Sequence, residues 1–170
     1  MREHRFIHLD SVIDDVHSLF EEWIESRVYA NTLDEFGLLV LKLAVHEWVA
    51  NLVQHAIFSK ESTEIILRVY DDSQTLRCIV EDNSEGFDFR SQIDAQTDAL
   101  GEPESTERGR GLLMLIACTE DISYETADSG LQRLEFTIRT PVDSANMPAF
   151  FTEQGELKED PQSSSRGRHA

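Results

Sequence analysis

The chain has 170 residues, with 33 acidic side chains against 15 lysines and arginines and a formal net charge of −18. With 40% hydrophobic residues it carries enough apolar material for one well-buried domain, and it is too short for two. The charge excludes direct nucleic-acid binding, which needs clustered cations against phosphate; lysine occurs only at Lys42, Lys60 and Lys158.

Cys78 falls in a strand-like run and Cys118 near the end of an apolar helix, and neither has a metal or redox spacing. Both read as small buried hydrophobes. No amino-terminal signal region is present, and the sequence is read as lacking an apolar run near the length that crosses a bilayer. The expectation is a cytoplasmic protein that does not contact membranes.

In chain order, Arg5–Leu9 reads as a short strand. Ser11-x-x-Asp14 then offers a capping box for a helix whose stripe is Val12, Val16, Leu19, Phe20, Trp23 and Ile24. Thr32-x-x-Glu35 predicts a second box opening a long helix, with Leu39, Leu43, Val45, Trp48, Val49, Leu52 and Val53 as apolar contacts. Glu64–Tyr70 and Leu76–Glu81 alternate like strands around the polar turn 71–74, a hairpin expected to be central. The stretch 89–107 is polar, with only Ile93 and Leu100 as large apolar side chains after Phe89, and reads as a long loop acting as a mobile lid. Gly111–Cys118 reads as a short apolar helix, and Ile122–Thr126 with Leu131–Arg139 as a hairpin around Asp128-Ser129-Gly130. The order predicts an α+β two-layer sandwich, a mixed, mostly antiparallel sheet with helices on one face, over residues 1–140. Residues 141–170, rich in Ser, Pro and Glu, are expected to form a mobile tail.

Three segments carry chemistry. On the long helix, Glu47, Asn51 and His55 recur every four residues, so a carboxylate, an amide and an imidazole share one face. After a strand comes Glu81-Asp82-Asn83-Ser84-Glu85-Gly86-Phe87-Asp88, and Arg108-Gly109-Arg110-Gly111 leads into the second apolar helix. Backbone N–H groups at such a loop-to-helix junction can hold phosphate, and the two arginines add positive charge. His46-Glu47 invites comparison with the zinc helix HExxH, but Ala50 stands where the second His belongs.

A Glu/Asn helix, an Asp-x-Gly-x-Gly box and a Gly-x-Gly box in this order resemble the GHKL superfamily of ATPases. The short length, the Phe87-Asp88 ending and the run Gly109–Ile116 are most similar to anti-sigma-factor serine/threonine kinases. The resemblance implies ATP and Mg2+ as cofactors. It gives Glu47 as general base, Asn51 as magnesium ligand and Asp82 as partner of the adenine amine. His55, Gly86, Arg108, Gly109, Arg110 and Gly111 complete the nucleotide site. It implies as partners a sigma factor and a STAS-domain anti-anti-sigma protein, and a homodimer. Ser84 departs from the box, standing at its first glycine; the extra side chain is expected to restrict the turn and lower affinity. A non-catalytic switch that sequesters proteins is the alternative, and a module acting on histidine in trans is a third.

Overall fold

The computed structural model describes residues 1–59, 62–72, 74–99 and 111–139. Strand β1 (Arg2–Phe6) leads to helices α1 (Val12–Glu25) and α2 (Glu35–His55), followed by β2 (Ile65–Asp72) and β3 (Thr75–Asp82). Helices α3 (Phe89–Ala99) and α4 (Gly111–Cys118) precede the closing pair β4 (Glu120–Thr126) and β5 (Gln132–Arg139). The strands lie in the order β1-β2-β3-β5-β4, and every pairing is antiparallel, so the sheet is antiparallel throughout rather than mixed. The α+β architecture and the central position of the β2–β3 hairpin agree with the sequence.

The period of two explains which side chains meet the helices. Ile65, Leu67 and Val69 on β2, Leu76, Cys78 and Val80 on β3, and Leu134, Phe136 and Ile138 on β5 join one core with α1 and α2. Counting on from Val80 puts Asp82 on that same inward face. The register sets Phe6, Ile65, Asp82, Gln132 and Thr126 in one row across the sheet. The outward face is held by charge: Arg68 donates to Oε2 of Glu81, and Arg133 donates through Nε and Nη2 to Oε1 at 2.9 and 2.7 Å. Burial alone would raise the Glu81 pKa, but these hydrogen bonds hold it below the usual carboxylate value.

Several local expectations are corrected. The first strand lies at Arg2–Phe6 because pairing seats Phe6 opposite Ile65, leaving Ile7 exposed. Neither capping box forms. Ser11 is the N-cap of α1 but donates to Asp15 Oδ2 at 2.8 Å instead of capping, and Asp34, not Thr32, caps α2 by accepting from Gly37 N at 2.7 Å. Thr32 donates instead to Asp71 on β2. Leu39 and Val53 of α2 are exposed rather than packed.

The expected loop over 89–107 begins as α3. Asp88 starts it by accepting from Ser91 N at 3.0 Å and from Ser91 Oγ at 2.7 Å, and Phe89 and Ile93 pack on the core. The second half of that stretch, the lid proper, and the tail at 141–170 lie outside the described residues. Finally, α2 is long and apolar enough to cross a membrane by length and composition alone, contrary to the sequence reading. Its buried residues, including Val40, Leu41, Ala44, Trp48 and Leu52, lie in the core against the sheet, which accounts for half of that apolar character.

Candidate functional site

One end of the β2–β3–β5 row meets one flank of α2. Asn51 is buried, and its Nδ2 donates to the backbone carbonyl of Glu47 at 2.7 Å. That bond commits the amide nitrogen to the helix and leaves the side-chain carbonyl oxygen as the acceptor end of the amide. Glu47, one turn earlier, is partly buried with its side chain 26% exposed, and Oε1 lies 3.6 Å from Nδ1 of His46. His55 is exposed at the end of α2, with its ring centroid 6.4 Å from that of Phe87.

The segment after β3 is a set of nested turns. Ser84 N donates to Asp82 Oδ1 at 3.0 Å, and Gly86 N donates to Ser84 Oγ at 3.0 Å. Asn83 clamps the start of β2, accepting from Glu64 N at 2.9 Å and donating to Ser62 O at 2.8 Å. Glu85 N donates to Ile57 O at 2.9 Å, tying the box to the chain leaving α2. Gly86 has φ +78°, and an added Cβ would stand 2.9 Å from Gln132 Cδ and 3.2 Å from the Tyr124 hydroxyl. Glycine is required there for both reasons. Ser84 is not among the positive-φ residues, so the expected strain at the first box glycine is absent; its hydroxyl instead supports the turn.

Asp82 is fully buried. Oδ1 has its Ser84 partner, whereas Oδ2 has none, and burial pushes the carboxyl pKa upward against the lowering effect of Ser84. Trp48 Nε1 is a second buried polar atom without a hydrogen-bond partner in the same region, while the Tyr124 hydroxyl meets only the backbone of Phe87. Burial first, and the Asp82 charge second, push Tyr124 up to about 12.

Around them stands an aromatic cluster. The Trp48 ring is 5.1 Å from Tyr124, 5.4 Å from Phe87 and 5.7 Å from Phe89, and Phe87 is 5.5 Å from Tyr124. Native interiors satisfy nearly all buried polar atoms, so the unpartnered Asp82 Oδ2 and Trp48 Nε1 beside a glycine turn make this the candidate place for a polar, flat ligand. Trp48 is the buried apolar contact the sequence predicts and also borders this cluster; the cluster itself, with Phe87, Phe89 and Tyr124, is not among the sequence expectations, and its signal there is four aromatic residues flanking the two chemical segments.

Gly111 opens α4, which packs against α2, while Arg108, Gly109 and Arg110 lie outside the described residues. The structure therefore keeps Glu47, Asn51 and His55 in a row along α2, and joins the end of that helix to the Asp82–Gly86 turn through Glu85 N–Ile57 O and the His55–Phe87 ring pair.

An antiparallel sheet backed by helices, with an orphaned carboxylate oxygen beside a glycine turn, defines a nucleotide-binding α+β domain. Residues 12–138 match the family of histidine kinase-like ATPase domains, and the chain belongs to that family. Membership implies ATP as the ligand, and the site does not conflict with it: Asp82 Oδ2 is a buried oxygen without a protein partner, as a group that receives an exocyclic amine would be. Among solved structures, the chain is similar to the histidine kinase domain of the blue-light activated kinase from Erythrobacter litoralis EL346, with 17% identity and a TM-score of 0.43. That match covers 77% of this chain and 58% of the other, so the chain spans little more than half of that domain. It is also similar to the nucleotide-free catalytic domain of histidine kinase ThkA, with 22% identity, a TM-score of 0.41, and coverage of 82% and 97%. No curated protein sequence matches.

Proposed function

We propose that this domain is an ATP-dependent serine/threonine protein kinase of the anti-sigma type. It binds Mg-ATP, sequesters a sigma factor and phosphorylates a STAS-domain antagonist, and it works in the cytoplasm as a homodimer. The observation that carries the reading is the pairing of Glu47 with Asn51 on the flank of α2 that meets the Asp82 box.

Each residue has a separable task. Asp82 holds the adenine amine through Oδ2, and the Trp48–Phe87–Tyr124 cluster gives the base a flat apolar wall. Asn51 would hold magnesium through its carbonyl oxygen, and the ion supplies charge neutralisation at the phosphates. A single protein ligand suits magnesium, which keeps most of its shell for water and phosphate; among the described residues no group of three or more His, Cys, Asp or Glu is placed to hold a metal ion by itself. Glu47 accepts the proton of the partner's hydroxyl as that oxygen bonds to the γ-phosphorus and the bond to ADP breaks. Phosphate added to the antagonist would then weaken its hold on this strongly acidic protein. The ordinary backbone angle at Ser84 supports this reading over the non-catalytic alternative as far as turn strain is concerned.

The test is to incubate the protein with magnesium, radiolabelled ATP and a STAS-domain protein, and to challenge the product with acid. Serine or threonine transfer gives acid-stable label. Acid-labile label would point to histidine in trans, and no label would leave a binding switch.

A further inference from the structure

Helix α2 is apolar on both sides. Val40, Leu41, Ala44, Trp48 and Leu52 face the core, and directly opposite them Leu39, Leu43, His46, Ala50 and Val53 follow a 4-3-4-3 spacing down the outer face. Within this outer stripe Leu39 is 49% exposed and Val53 39%, and Ile57, one turn beyond, is 61% exposed. An exposed apolar stripe with a polar rim is the pattern of an interaction site.

The rim of the stripe is acidic. Lys42, on the α1 side, is held by Glu21 at 2.5 Å, and exposed Glu25 and Ile24 follow along α1. Glu35 stands at the start of the stripe and Glu47 on its other side. Glu47 therefore lies between the outer stripe and the flank that carries Asn51.

We infer that the outer face of α2 is the docking surface for the protein that receives the phosphate, and that it takes an amphipathic helix with an apolar stripe and basic flanks. Two arguments select this occupant over a second copy of the chain. A basic-flanked helix complements the acidic rim, whereas the same face of a second copy would set acidic rim against acidic rim, so the proposed homodimer uses another surface. From Leu39 to Val53 the stripe runs only about 21 Å at 1.5 Å per residue, which gives a contact well below the roughly 800 Å² per partner of a stable complex. A short contact of that kind suits a substrate that must leave after each turnover. Docking there sets the partner's hydroxyl beside Glu47. The inference rests on the kinase reading for its purpose, although not for the binding itself.

The test uses a fluorescent 18-residue amphipathic Leu/Lys helix as probe, with a Leu/Glu helix as control, and the Leu39→Gln and Val53→Gln variants. Both side chains are exposed, so the variants should fold; their melting temperature and ATP binding are measured alongside. The expected result is Leu/Lys binding to the unaltered protein, about tenfold weaker in each variant, with ATP binding unchanged and no binding of the Leu/Glu helix. A Leu/Lys helix that fails to bind, or binds variants and unaltered protein alike, overturns the inference. So does sedimentation showing a dimer that dissociates in the variants, which would assign the face to a second copy. Peptide binding needs no ATP, so its failure leaves the kinase reading standing. A failed transfer assay with intact peptide binding strikes the kinase reading alone.

Discussion

Asn51 gives an amide hydrogen to the carbonyl oxygen of Glu47 at 2.7 Å, fixing which end of the amide faces outward from the helix. The same four-residue step that lets the two side chains share a face thus fixes the orientation of the oxygen proposed as the magnesium ligand, one turn from Glu47. Asn51→Ala removes both the orienting bond and the oxygen. The variant is expected to fold with a loss of about 1 kcal/mol and to bind ATP at least about tenfold more weakly in magnesium. Nucleotide titration by calorimetry, with and without magnesium, checks it; unchanged affinity would remove Asn51 from the metal site.

Asp82 couples stability to pH in a direction opposite to most carboxylates. Its folded-state pKa is raised, so its contribution to stability is fully present below the unfolded value of 3.8 and is lost as pH rises through the folded value. Asp82→Asn should therefore melt higher than the unaltered protein at neutral pH, by about 1 kcal/mol in stability, and the two curves should converge in acid. The same variant should bind ATP about tenfold more weakly. Lower stability at pH 7 would show that the charge is compensated by the unbound protein itself.

Glu81, the preceding residue, has the contrary sign. Arg68 and Arg133 hold its pKa below 4.5, so its contribution is present above that value and lost as pH falls through the lower folded one. Glu81→Gln should cost stability at pH 7 and almost none in strong acid, as read by thermal melting across pH. Equal loss at both ends would mean that packing, rather than charge, dominates the outer face.

Two substitutions in the box separate conformation from contact. Gly86→Ala forces a side chain into φ +78° and against Gln132, and should cost about 1–3 kcal/mol. Ser84→Gly removes the acceptor for Gly86 N and should cost about 1 kcal/mol without raising ATP affinity. A gain in affinity would show that the Ser84 side chain obstructs the nucleotide.

What the sequence made legible follows the range of each interaction. The Glu47–Asn51 step, the strand alternation and the hairpin at Gly130 are local, and each could be read from spacing. The inward face of Asp82 was implicit in the period running from Leu76 through Val80, but the orphaned oxygen depends on what surrounds it in space. Helix α3 was read as loop because Phe89 and Ile93 are its main apolar contacts, and its start depends on the Asp88–Ser91 cap rather than on a hydrophobic stripe. The second capping box failed because Asp34 outcompeted Thr32, whose hydroxyl found a long-range partner in Asp71. Ser84 was judged by analogy with a glycine position, and only its actual backbone angle shows that no strain exists there.

The central claim is that Glu47 moves a proton during transfer while taking no part in holding ATP. It is tested most directly by measuring single-turnover phosphoryl transfer to a STAS-domain protein for the unaltered protein and for Glu47→Gln, with ATP affinity determined on the same samples. The account predicts ATP affinity within about twofold and transfer slower by about 10²–10⁴. Transfer at the unaltered rate, or affinity lost in step with transfer, would contradict it.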